Sequence, residues 1–145
     1  MNPENTAKLL AIYPLLYRNL RNQDFECEDG WFALIWQVSA DIESVAQLEG
    51  TPKTAEAWPS VGVLKNKFGS LRVQFDGRVS DAIEALVHRA YERSMEICHL
   101  CGAPALLMQV SNRRTEPLCA TCIEASPSNP ENPRPLPVWM QEQNR

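Results

Sequence analysis

Histidine is scarce in this chain, with His88 and His99 alone among 145 residues. A histidine-metal nuclease needs two or three imidazoles converging near one hairpin, and hydrolytic zinc sites keep three protein ligands and an open fourth position. Neither pattern is present. Glycine is sparse too, at six residues, and none belongs to a P-loop, a dinucleotide fingerprint or a nucleophile elbow. No apolar run approaches the ~20 residues of a membrane span. An excess of positive charge is missing as well: a formal net charge of −4 and a pI near 5.2 oppose attraction of the whole molecule to phosphate backbones. These absences leave no support for an enzyme, and the chain reads as non-enzymatic.

What the chain does have is cysteine at metal-ligand spacing. Cys98 and Cys101 form one C-x-x-C pair, Cys119 and Cys122 another, with 17 residues between the pairs. This matches the spacing of a tetrahedral Cys₄ zinc site. The two-residue gap lets the backbone curl so that both thiolates of a pair meet one ion. Four thiolates close its coordination sphere, so the expected Zn²⁺ is structural. Two disulfides are the competing reading, but disulfides belong to oxidising compartments. The segment MNPENTAKLLAIYPLLYR lacks the charged region, apolar core and cleavage site of a secretory signal, so a cytoplasmic setting is expected. Cys27 has no partner at ligand spacing and is expected to be a free, partly buried thiol. The middle of a knuckle usually faces solvent, and His99 is expected there.

Hydrophobic periodicity predicts an α+β fold: amphipathic helices packed with a β-hairpin, then a zinc-ribbon or treble-clef-like module, then a Pro-rich tail. In residues 4–21, Leu9, Ile12, Tyr13, Leu16, Tyr17 and Leu20 fall at helical spacing, with Pro14 set to kink or divide the segment. Trp31, Leu34, Ile35, Val38, Ile42, Val45 and Leu48 mark a second helix, with Asp29 as its expected N-cap and Gly50 at its stop. Trp36 lies off that stripe, either widening it or exposed. Leu71, Val73 and Phe75 alternate as a half-buried strand, preceded by an expected Gly69-Ser70 hairpin turn. The face assignment of the strand before it is ambiguous, and a short helix near Phe68 is an alternative. Ser80 is the expected cap of a third helix over 80–97, which runs directly into Cys98. Leu106, Met108 and Val110 alternate into a second hairpin turning near Asn112, and a short helix is expected at 120–125. The organisation is thus a core over 1–97, a zinc module over 98–125 packed on it, and a tail over 126–145. Five prolines within residues 127–137 give that tail polyproline character. Trp139 is either folded back on the body or a partner-docking anchor.

Charge is uneven. Residues 1–60 carry nine acids against four bases, whereas residues 61–78 carry Lys65, Lys67, Arg72 and Arg78 against Asp76 alone. A solvated strand face accounts for the bases. The acidic cluster Asp24, Glu26, Glu28 and Asp29 lacks the spacing of a calcium loop and reads as a solvated turn.

The segments YPLLYR, FECEDGWFALI, LKNKFGSLRV and ICHLCGAP resemble, in that order, a family of small zinc-ribbon-like proteins encoded by phages and prophages. The resemblance spans residues 10–122. Glu28 and Ser70 stand where that family has glycine, so the two turns are expected to differ. The resemblance implies a phage origin and a bacterial host cytoplasm, and it assigns no activity.

Two functions follow as expectations. The first is a phage accessory protein with a structural zinc that binds a host or phage protein, an inhibitor of a host defence system being one such role. An acidic surface makes association with a basic partner fast. The alternative is a nucleic-acid-binding zinc protein using Lys65, Lys67, Arg72, Arg78, Arg113 and Arg114, with the Phe68-Gly69 turn as a stacking surface. No membrane partner is expected.

Overall fold

Asn2 starts the first helix: its side-chain oxygen accepts the amide of Asn5 at 2.8 Å, and Pro3 follows in the position where a missing N–H costs nothing. The helix, α1 (Pro3–Ile12), stops before Pro14, so proline divides the predicted segment rather than kinking it. The computed structural model describes residues 1–125 together with the backbone of 134–135. Tyr13, Leu16, Tyr17 and Leu20 continue from α1 as turns, and all four are buried. Helical spacing thus identified these four although the backbone leaves the helix, but it also named Ile12, which is 55% exposed at the end of α1.

Helix α2 (Phe32–Leu48) carries the dominant apolar stripe, burying Leu34, Ile35, Val38, Ile42 and Ala46, but its last turn departs from expectation: Val45 is only partly buried and Leu48 is 86% exposed, because the helix end runs past the core. Gly50 ends it with φ +72, the left-handed conformation that suits glycine. Asp29 is not its cap, contrary to expectation. A 3₁₀ turn (Asp29–Trp31) intervenes, and the Asp29 carboxylate instead accepts the Asn2 amide at 2.8 Å and the Asn5 side-chain amide at 3.1 Å. Competition from the end of α1 thus redirects this side chain. Trp36 widens the buried face, its ring packed edge-on against Tyr13 at 5.4 Å.

Strands β1 (Val61–Lys67) and β2 (Ser70–Phe75) pair antiparallel, with Lys67 opposite Ser70. The two-residue turn is therefore Phe68-Gly69, one residue earlier than the sequence suggested, and both residues have positive φ (54 and 82). That double left-handed turn matches the right-handed twist of the strands. Val61, Val63 and Leu64 are all buried; the register shift between Val61 and Val63 sets Val61 and Leu64 opposite Phe75 and Val73 on the core face, with Val63 buried on the other. The other edge of β1 is covered by the backbone of Glu26, whose N–H donates to Leu64 at 3.0 Å and whose carbonyl accepts from Asn66 at 2.9 Å. Helix α3 (Asp81–Ser94) is capped by Ser80 as predicted, and packs on α2 and β2. Its Ser94 hydroxyl accepts the Leu71 amide at 2.8 Å.

After the first cysteine pair come β3 (Leu106–Ser111) and β4 (Arg114–Leu118), an antiparallel hairpin, and then α4 (Ala120–Glu124). The second pair opening a helix gives the treble-clef order. The other edge of β3 pairs with β5 (Arg134–Pro135). Leu106 is 65% exposed, while its neighbour Leu107 is buried with Tyr91 and Met95 of the core. Apart from Pro135, the prolines of the tail, and Trp139 with its proposed docking role, lie outside the described residues. No helix among the described residues is long and apolar enough to cross a membrane.

Candidate metal centre and the adjoining cleft

The fold brings Cys98, Cys101, Cys119 and Cys122 together, with all four sulfurs within 4.8 Å of one another. Four thiolates ~2.3 Å from one tetrahedral ion would stand roughly 3.8 Å apart. The Cys101 and Cys119 sulfurs are 3.6 Å apart, near that value and far beyond a disulfide bond. All four are free thiols. The donor set fits a closed thiolate site for a soft or borderline ion such as Zn²⁺.

Local structure explains the convergence. The Cys98 amide donates to Ala103 at 2.7 Å and its carbonyl accepts from Gly102 at 2.9 Å, curling the first knuckle. Gly102 has φ +83 and faces the Gly30 backbone closely, so only glycine suits it. Cys119 caps α4, and its sulfur accepts the Cys122 amide at 3.4 Å. Burial pushes the Cys98 thiol up, but backbone N–H groups of Cys119, Cys101 and Leu100 outweigh it and bring the group down to about 7. Burial and the neighbouring sulfurs push Cys122 the other way. Bringing four thiols together disfavours charging them all, which a bound cation reverses. Met108 and Leu118 pack with Cys98 in a small apolar cluster that Ile123 borders.

His99 departs from expectation. It is 4% exposed, buried rather than facing solvent. Its Nε2 accepts the Glu28 amide at 2.8 Å, its ring lies 4.5 Å from that of Trp31, its amide donates to Pro117 and its carbonyl accepts from Gly30, at 2.9 and 3.0 Å. Burial holds its pKa below the usual imidazole value, in keeping with a neutral acceptor. It is not among the clustered ligands. Trp31 adds a bond from Nε1 to the Ile97 carbonyl at 3.1 Å. Gly30 has no room for a side chain: a Cβ there would lie 2.1 Å from the Cys98 carbonyl oxygen. The Asp-Gly-Trp turn and the knuckle are thus fitted to each other. Sequence reasoning missed His99 because knuckle geometry alone gives no sign of a neighbouring core.

Cys27 is buried, free and away from the cluster, its thiol pushed up to about 12 by burial. His88 is mostly exposed and faces Glu92 at 3.7 Å.

The six bases do not form one face. Lys65 and Arg72 are direct cross-strand partners, so both leave the sheet on the same side. The Arg72 guanidinium stacks over Tyr91 at 4.6 Å, and its buried Nε has no hydrogen-bond partner. Arg78 follows β2 at the end of the hairpin away from its turn. Lys67 reaches over Phe68 at 5.8 Å. Arg113 and Arg114 sit at the turn between β3 and β4 and line a cleft of about 570 Å³ with Phe68, Asp24, Glu26 and Glu28. Arg114 donates from Nε and Nη2 to one oxygen, Oε1, of the buried Glu116 carboxylate, at 2.8 and 2.7 Å. The acidic residues alternate with buried Phe25 and Cys27, as they must on an extended segment lying along β1.

Comparison of the chain with known protein families, curated proteins and solved structures finds no match.

Proposed function

We propose that the chain is a zinc-stabilised, non-catalytic module that acts by binding a protein. The observation that carries this reading is the closed four-thiolate cluster: it leaves no coordination position for substrate, so its role is to hold a surface in shape. The segment it holds keeps two large leucines in water, Leu100 at 45% and Leu106 at 65% exposed. Burying them against a partner would remove their apolar surface from water. The acidic balance of residues 1–60 favours a basic partner. The resemblance to small phage and prophage proteins makes a host or phage protein in the bacterial cytoplasm the natural partner, and blocking a defence complex a role that this surface suits. Nucleic acid is the weaker reading, because the six bases are divided among separate places.

The test is affinity capture from a bacterial lysate with and without nuclease, using wild-type protein beside a Leu100→Ser/Leu106→Ser variant that retains one zinc per chain. A partner that survives nuclease and is lost with the variant supports the reading. Partners that vanish with nuclease overturn it.

A further inference from the structure

Phe68 occupies the first position of a double left-handed turn, with φ +54, where asparagine, aspartate or glycine is the favoured residue. It gains little by burial, being 61% exposed. The turn is pinned, because a Cβ on Gly69 would meet Leu107 Cδ1 at 2.6 Å and the Thr115 carbonyl oxygen at 2.8 Å. The Gly69 amide donates to the Asn66 side-chain oxygen at 2.9 Å. An aromatic ring is therefore held at the mouth of the cleft against both its backbone preference and solvent. Such strain at a concave site marks a ligand contact.

The rest of the cleft specifies the ligand. Arg113 makes no ion pair among the described residues, and Arg114 is oriented by Glu116 while keeping further N–H donors. Asp24, Glu26 and Glu28 are exposed on the same cleft and likewise make no ion pair among the described residues. A long phosphate strand would be repelled by these carboxylates. A cationic peptide would meet the arginines, and an apolar ligand would strip water from all of these charges without replacing it. A nucleotide offers a partner to Phe68, to the arginines and to the exposed carboxylates: the base has a π-face for Phe68, a phosphate suits the arginines, and the sugar hydroxyls and base amines donate to carboxylates. The volume of about 570 Å³ falls within the usual range of small-ligand sites.

We infer that this cleft is a nucleotide-binding site, with the base stacked on Phe68, the phosphate at Arg113 and Arg114, and the carboxylates taking the hydroxyl or amine donors. The inference does not rest on the protein-binding reading, whose proposed contacts are Leu100 and Leu106.

The test is titration of the zinc-loaded full chain with nucleoside mono- and triphosphates of each base, followed by calorimetry and by amide chemical shifts. Saturable binding at micromolar to millimolar concentration is expected, with shifts at Phe68 and Arg114. Phe68→Asn, which suits the turn and should keep the fold, is expected to weaken binding about tenfold or more. Arg113→Ala/Arg114→Ala should bring the affinity for the monophosphate down to that of the free nucleoside, titrated in parallel. Absence of saturable binding at millimolar nucleotide, or unchanged affinity in Phe68→Asn, overturns the inference. A single-stranded oligonucleotide whose affinity climbs with length overturns the assignment to a free nucleotide and makes the source a strand.

Discussion

The imidazole of His99 lies on the indole of Trp31, ring centres 4.5 Å apart, while its Nε2 takes the amide proton of Glu28. One side chain of the metal knuckle thereby completes the packing and the hydrogen bonding of the turn that opens α2. His99→Ala would leave the partly buried Glu28 N–H without its acceptor and a cavity against Trp31. A loss of about 2–4 kcal/mol is expected in urea unfolding of the zinc-loaded protein. A loss below ~0.5 kcal/mol would show that the knuckle merely rests on the core.

Metal removal should act locally first. Structural zinc contributes roughly 10–16 kcal/mol in small finger peptides, more than the stability of a typical small domain. Cys98→Ser or Cys119→Ser should abolish the one-zinc-per-chain stoichiometry, read by elemental analysis, and release amide protection across residues 98–125. An unchanged melting curve in a metal-free protein would contradict a structural ion.

Phe68 stands where a left-handed backbone costs an ordinary residue ~1–2 kcal/mol. Phe68→Asn is therefore expected to raise stability by about 1 kcal/mol, seen as a higher denaturant midpoint with unchanged slope. A drop in stability would mean that the exposed ring contributes packing to the fold after all.

Asp29 gives a pH signature. The amide of Asn2, followed by the side-chain amide of Asn5 and other contacts, holds its pKa below the ordinary 3.8 despite some burial. A depressed carboxylate contributes stability that is full above its unfolded value and lost as pH falls through the folded one. Asp29→Asn should cost at most ~1 kcal/mol near neutrality, because this carboxylate is largely solvated. The gap to wild type should close below about pH 4. Protonation of the cysteines is common to both proteins and cancels in the difference. A gap that stays constant down to pH 2 would remove the carboxylate from the account.

The sequence by itself determined the cysteine cluster, because ligand spacing is local: two residues between thiols fix how a knuckle curls whatever surrounds it. It determined α2 and α3 for a similar reason, since a stripe at helical period has one way to be buried, and Ser80 and Gly50 mark ends by backbone chemistry alone. Helical spacing also found the buried residues from Tyr13 to Leu20, but not that the chain leaves the helix at Pro14. Competition between partners was invisible at that level. Asp29 suits an N-cap, yet the end of α1 supplies amides that claim it. Gly69-Ser70 and Phe68-Gly69 were both possible turns, and the difference is one residue of register, set by how β1 and β2 pack on α3 and the zinc hairpin. His99 looked solvent-facing because nothing near it in the chain announces Trp31, 68 positions earlier. The cleft is likewise assembled from the acidic segment, the first hairpin turn and the second, which are brought together only by the fold. Local steric and ligand rules reach a few residues along the chain. Which side chains share a pocket is decided by long-range packing, which only the tertiary structure records.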